Sequence, residues 1–102
     1  MEIKSLNLYG KQGYHFLDDK GYGLFAYRAE ARGSILVERI YRGKFKGKEG
    51  IFSTPRGRGK FASIEIPVQW IPDALKLITL LGEKTGAAKE VGVKDDVFKY
   101  GV

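Results

Sequence analysis

The hydrophobic periodicity of this chain changes once, near residue 68, and that change constrains the fold more than any other feature. Upstream, apolar residues alternate with polar ones in short pieces separated by glycine and turn residues. Tyr14, Phe16 and Asp18 share one side of an extended chain, and His15 and Leu17 the other; Phe25, Tyr27 and Ala29 alternate with Leu24, Ala26 and Arg28. Side chains two apart lie on one face of a strand, and aromatic and β-branched residues suit that pleated surface. Downstream, Ile71, Ala74, Leu75, Leu77, Ile78, Leu80 and Leu81 recur at helical spacing, with Pro72 in the first turn and Gly82 near the end.

Asp18-Asp19-Lys20-Gly21 reads as the turn of a first hairpin, and Arg32-Gly33-Ser34 as a second turn. Beyond it, Ile35, Val37, Arg39 and Tyr41 occupy one face, and Leu36, Glu38, Ile40 and Arg42 the other. Continued in phase, Arg42, Lys44, Lys46 and Lys48 form one row, with Gly43, Phe45 and Gly47 behind it. Lys48-Glu49-Gly50 is the next expected turn, 51–55 a short strand, 55–59 an exposed loop and 60–68 the last strand. The predicted fold is α+β: an antiparallel sheet of four to five strands over about 13–67, followed by a C-terminal helix at about 68–82 packed on one face. The other face would then be free to carry function. A tail, 83–102, offers a helical extension at 85–92 and a returning strand at 95–102. The apolar arc of the helix is broader than packing on one sheet requires, which points to a homodimer formed through 71–81.

A chain of 102 residues is expected to be one domain spanning 1–102, and at 43% hydrophobic residues it is too apolar to be disordered. With no cysteine, it has no disulfide, thiolate metal site or cysteine nucleophile. No basic leader precedes an apolar run, and no run approaches the ~20 residues of a membrane helix. A soluble, cytoplasmic protein with no membrane partner is expected. One Met, no Cys, two Gln and one Asn fit a thermophile's avoidance of labile residues.

Charge is concentrated. The chain carries 18 Lys and Arg against 12 Asp and Glu, a net +6. Arg42, Lys44, Lys46, Lys48, Arg56, Arg58 and Lys60, set against Glu49, account for the whole excess, so the rest of the chain is balanced. A focused basic region attracts polyanions, whereas a diffuse one mainly aids solubility. Lysine on an edge strand also protects against aggregation, which is the plainer use of such a run.

Catalysis finds little support. His15 is the only histidine and sits in an alternating strand, where a lone histidine is more often structural. Asp18-Asp19 and Asp95-Asp96 are adjacent pairs whose members point apart in a strand and suit solvated turns. No zinc-ligand spacing occurs, and Gly59-Lys60 is followed by Phe61 and a strand, whereas a phosphate-binding loop needs Ser or Thr and a helix. A non-enzymatic protein with no cofactor and no metal is expected. Trp70, at the helix start, suits a core anchor.

What remains is a basic stretch interleaved with aromatics. Phosphates need cations and unpaired bases need flat apolar faces, so this mixture suits single-stranded nucleic acid. Tyr41, Phe45, Phe52 and Phe61 fall within or at the ends of the stretch, Tyr14, Phe16, Tyr22, Phe25 and Tyr27 lie on the first hairpin, and about half of these strand aromatics are expected in the core. The order of aromatic and basic strands, then Ile64-Glu65-Ile66-Pro67-Val68-Gln69-Trp70, then an apolar helix, resembles Whirly-type and transcriptional-coactivator single-stranded-DNA-binding domains. More narrowly, residues 13–82 resemble the ThermoDBP-related single-stranded-DNA-binding proteins of thermophilic archaea. The resemblance implies a homodimer that binds single-stranded DNA with little sequence preference. By position it assigns base stacking to Tyr41, Phe45 and Phe52 and phosphate contacts to Arg42, Lys44, Lys46, Arg56, Arg58 and Lys60; Lys48, Arg39 and Tyr27 complete the expected surface. An RNA-binding protein and a duplex-binding chromatin protein are the alternatives, followed by an enzyme acting on nucleic acid and a module gripping an acidic protein.

Overall fold

The computed structural model describes residues 1–29 and 34–82. Five strands, β1 (Lys4–Leu8), β2 (Lys11–Leu17), β3 (Tyr22–Arg28), β4 (Ile35–Phe45) and β5 (Lys48–Lys60), pair in chain order as one antiparallel meander. Two single 3-10 turns follow, Phe61–Ser63 and Val68–Trp70, and the second runs into helix α1 (Ile71–Leu80). The fold is α+β, sheet first and helix last, as the change of period implies. The expected turn at 32–34 and both expectations for the tail fall at least partly outside the described residues. The first hairpin turn lies where Asp18-Asp19-Lys20-Gly21 predicts it. There the Asp18 carboxylate accepts the backbone N–H groups of Lys20 and Tyr22, each at 2.9 Å.

Three local expectations are corrected. The fifth strand is β1, not 60–68. Leu6 and Leu8 face inward from it at alternate positions, whereas Phe61 leaves the sheet in a 3-10 turn and is buried. The β4–β5 turn is Lys46-Gly47, two residues earlier than Lys48-Glu49-Gly50. Both residues take positive φ, 51° and 80°, as the favoured two-residue hairpin requires. Finally, 55–59 lies within β5. Glu38 pairs with Arg58 and Ile40 with Ser53, so 54–57 is accommodated as an irregularity in the strand.

The main core lies between the sheet and α1. Phe16, Leu24, Ala26, Ile35 and Val37 supply the sheet side; Phe61, Ile66, Trp70, Ala74, Leu77 and Ile78 complete it. Each large side chain buried here contributes about 1.5–3 kcal/mol. Trp70 is the expected anchor, edge-on to Phe16 at 5.8 Å. At the far end of α1, Arg28 donates to the Leu81 carbonyl at 2.7 Å, a cation at a helix C-terminus.

The opposite face is not free, contrary to expectation. Leu8, Phe25 and Ile40 are buried there, with Leu6, Leu17, Tyr27 and Ile51 packed around them. Leu6 and Leu8 come from β1 and Ile51 from β5, strands that a flat sheet would hold about 19 Å apart. The sheet therefore curls toward this face. Gly13 and Gly23 flank Phe25 on it, and a Cβ at either would run into a neighbouring backbone carbonyl.

Length explains why the helix does not enclose its own face. A ten-residue helix spans about 15 Å, and an eleven-residue strand such as β4 about 37 Å. Most of the broad apolar arc is used within the chain: Ala74, Leu77 and Ile78 are buried, and Ile71, Leu75 and Leu81 pack against the core. Leu80 remains exposed. No helix among the described residues is long and apolar enough to cross a membrane.

Candidate functional site

Beyond the helix, β3, β4 and β5 project as an uncovered ribbon. Register and alternation set its helix-side face. Tyr22 stands across from Tyr41, Tyr41 from Phe52, Gly43 from Gly50 and Phe45 from Lys48. The rings of Tyr41 and Phe52 are 5.7 Å apart and those of Phe45 and Phe52 6.4 Å. Tyr22 is 55% exposed and Phe45 62%, while Tyr41 and Phe52 are half-buried against their neighbours. The Tyr41 and Phe52 rings lie over Gly43 and Gly50; a Cβ on Gly43 would sit 3.0 Å from the Tyr41 ring. The expected Tyr41, Phe45 and Phe52 are thus brought together. Tyr22 was not among the expected site residues, and only the β3–β4 register adds it.

Three cations share this face or its tip. Lys48 lies opposite Phe45, and the ammonium of Lys46, at the turn, is 5.4 Å from the Phe45 ring. Arg39 stands at the border with the main core, its guanidinium 5.5 Å from the Trp70 ring. The β5 irregularity makes room for it: a Cβ at Gly57 would lie 2.5 Å from the Arg39 side chain, and the Thr54 hydroxyl donates to the Arg39 carbonyl at 3.1 Å. Arg56 is exposed on the same irregular segment.

The remaining expected cations lie on the opposite face. Arg42, Lys44, Arg58 and Lys60 alternate with the ring-bearing positions and are all exposed. The expected row Arg42-Lys44-Lys46-Lys48 therefore breaks at the Lys46-Gly47 turn, which returns Lys48 to the ring face. Tyr27 is also on the opposite face, stacked on Phe25 at 5.4 Å with the Lys11 ammonium 4.8 Å above it. It belongs to the second core and not to the ring cluster.

Glu38 anchors the charges on that side. Its buried carboxylate accepts from Lys11 at 3.1 Å and pairs with the Arg58 Nε at 3.6 Å, while Arg58 donates to the Ser53 hydroxyl at 3.0 Å. The second oxygen, Oε2, is buried without a hydrogen-bond partner. Hydrogen bonding to Tyr27, and then to Glu38, holds the Lys11 ammonium above its ordinary pKa against the opposing effect of burial.

The residues considered for catalysis are dispersed. His15 is buried, which pushes its pKa below the ordinary value, and its Nδ1 lies 3.0 Å from the Lys4 carbonyl. Asp18 is occupied in its turn, and Asp19 is exposed. Among the described residues, no group of three or more His, Cys, Asp or Glu gathers as a metal site. Compared with protein-family models, curated proteins and solved structures, the chain matches none.

Proposed function

We propose that this chain binds single-stranded nucleic acid, DNA in the first instance, by stacking bases on the uncovered end of the helix-side face. The observation that carries this reading is the ring set Tyr22, Tyr41, Phe52 and Phe45, laid across three neighbouring strands where the helix no longer reaches. Each base stacked on an aromatic side chain contributes about 1–3 kcal/mol with little regard to sequence. Gly43 and Gly50 let the Tyr41 and Phe52 rings lie over the backbone, and Lys46, Lys48 and Arg39 supply cations for the phosphates at either end. A duplex hides its base faces and gains nothing from the rings.

The protein acts by binding, without turnover, in a cytoplasmic setting. Two copies would meet through the outer side of 71–81, where Leu80 is exposed. RNA offers the same base faces, and competition between dT and rU oligonucleotides decides between the two. The test of the function is a titration of labelled dT oligonucleotides of several lengths at two salt concentrations. Binding that is tighter than to a duplex of equal length, and weakened by Phe45→Ala and Phe52→Ala, is expected. Affinity for dT unchanged by both substitutions overturns it.

A further inference from the structure

We infer that the opposite face of the β4–β5 ribbon is a second site, for the phosphate backbone of a nucleic-acid segment other than the one stacked on the rings, so that the protein holds two segments together. This rests on the stacking role proposed above. Four cations form a stripe along the ribbon: Lys60 across from Leu36, Arg58 across from Glu38, then Arg42 and Lys44. They occupy alternate positions, with steps of about 7 Å, close to the separation of successive phosphates on a nucleic-acid strand. The one gap falls at Ile40 and Ser53, and there the Ser53 hydroxyl accepts from Arg58. From the level of Leu36 to Lys44 the stripe runs about 27 Å.

The stripe is built to present charge. No ion pair engages Arg42, Lys44 or Lys60 among the described residues, and Arg58 is held in place by Ser53 and by the buried Glu38. Glu38 is itself shared with Lys11; at the stripe's tip Glu49 lies across from Lys44, and Asp19 lines the same hollow as Arg42 and Lys44, with Lys20 beside it. No ring stands exposed beside these cations: Phe25 is buried and Tyr27 is half-buried beneath Lys11. This face can therefore read phosphates but not bases, and it accepts a duplex as readily as a single strand.

The two sites lie on opposite sides of one sheet, so a nucleotide stacked on Phe52 cannot place its own phosphate on Arg42 or Arg58. Either a single strand crosses the β5 edge to reach both faces, or two segments bind at once. The stripe's lack of rings favours the second, because a strand that wrapped the edge would leave its bases unstacked there. The resulting activity is co-capture: a single strand held by its bases beside a second segment held by its backbone.

A three-component energy-transfer assay tests this, using a donor-labelled dT oligonucleotide, an acceptor-labelled mixed-sequence duplex and the full chain. Transfer that depends on the protein is expected. Duplex affinity should fall with salt at about −0.9 per neutralised phosphate, near −3.6 for four contacts. The combined variant Arg42→Gln, Lys44→Gln, Arg58→Gln, Lys60→Gln should weaken duplex binding at least about tenfold and abolish transfer. It should change dT binding by less than twofold, with thermal unfolding confirming the fold. Displacement of dT by excess duplex on the wild-type protein, with dT kept at a concentration that fills only the rings, overturns the inference, since it shows one shared site. Loss of dT binding in the stripe variant shows one strand wrapping both faces, and also overturns it. If dT fails to bind while duplex binding still depends on the stripe, the stacking role fails and co-capture with it, leaving the cationic site standing alone.

Discussion

The helix-side face of the sheet is apolar at both ends, and rings occur at both, but only one end is covered. Near α1, Phe16 is buried beneath Trp70, with Phe61 in the same core. On the neighbouring strands β3, β4 and β5, beyond the aliphatic Leu24, Ala26, Ile35 and Val37 that the helix covers, Tyr22, Tyr41, Phe52 and Phe45 form a second layer of rings that it does not reach. Phe16 and these rings are alike in kind; their cover is not. A ten-residue helix beneath a strand more than twice its length divides one continuous apolar face into a core and a surface. Aromatic content alone therefore says nothing about which rings stay open, and the length of the covering element decides it.

The largest effect that tests this contrast is on stability. Phe16→Ala should cost about 3–5 kcal/mol, as large-to-small changes in packed cores do, and lower the melting temperature by about 4–8 °C per kcal/mol. Phe45→Ala, at the open end, should stay within about 0.5 kcal/mol of wild type in the same thermal unfolding experiment. Comparable losses from the two would mean the open end is packed after all. In binding the order reverses. Tyr41→Ala or Phe52→Ala should each weaken dT binding by about 1–3 kcal/mol, measured by fluorescence anisotropy. Unaltered affinity in both would remove the rings from the site.

The border between the ends offers a smaller effect. Gly57→Ala forces a Cβ into the Arg39 stem, and overpacking of this kind costs about 1–3 kcal/mol. The cost should vanish in Gly57→Ala, Arg39→Ala, where the stem is gone; a cost that persists would locate the strain elsewhere in β5. The smallest effect concerns His15, on the curled face. Its folded pKa is depressed by burial, so below about pH 6.5 the unfolded chain binds a proton that the folded chain does not. Stability should therefore decline as pH falls from about 6.5 toward the folded value, and His15→Gln should flatten that decline in urea unfolding. An unchanged slope would assign the pH dependence to other groups.

Much of this arrangement is legible in the alternation of residues. The two faces of β2, β3 and β4, the Asp18 turn and the helix at Ile71 all follow from local pattern. The opposition of Phe45 to Arg42 and Lys44 follows as well, because a regular strand permits nothing else. What local pattern does not carry is whatever depends on elements meeting. Alternation carries the strand through Lys46 and Gly47 to a turn at Lys48-Glu49-Gly50, and it is the cross-strand pairing of Tyr41 with Phe52 that places the turn at Lys46-Gly47. The segment Lys4–Leu8 has only Leu6 and Leu8 as apolar signal, and its place in the sheet comes from joining Phe25 and Ile40 on the curled face. Tyr22 and Tyr27 look alike in sequence, yet odd and even positions of β3 send one to the open rings and the other under Lys11. The accommodation of 54–57 is set by Arg39, a residue more than a dozen positions away.

The central claim is that flat rings at the open end stack bases, and substitution by leucine isolates it. Tyr41→Leu with Phe52→Leu keeps an apolar side chain at each position and removes the planar face. Anisotropy of a labelled dT oligonucleotide at fixed salt should then show affinity falling by at least about tenfold while the melting temperature holds within a few degrees. Affinity equal to wild type in a folded double variant would contradict the claim.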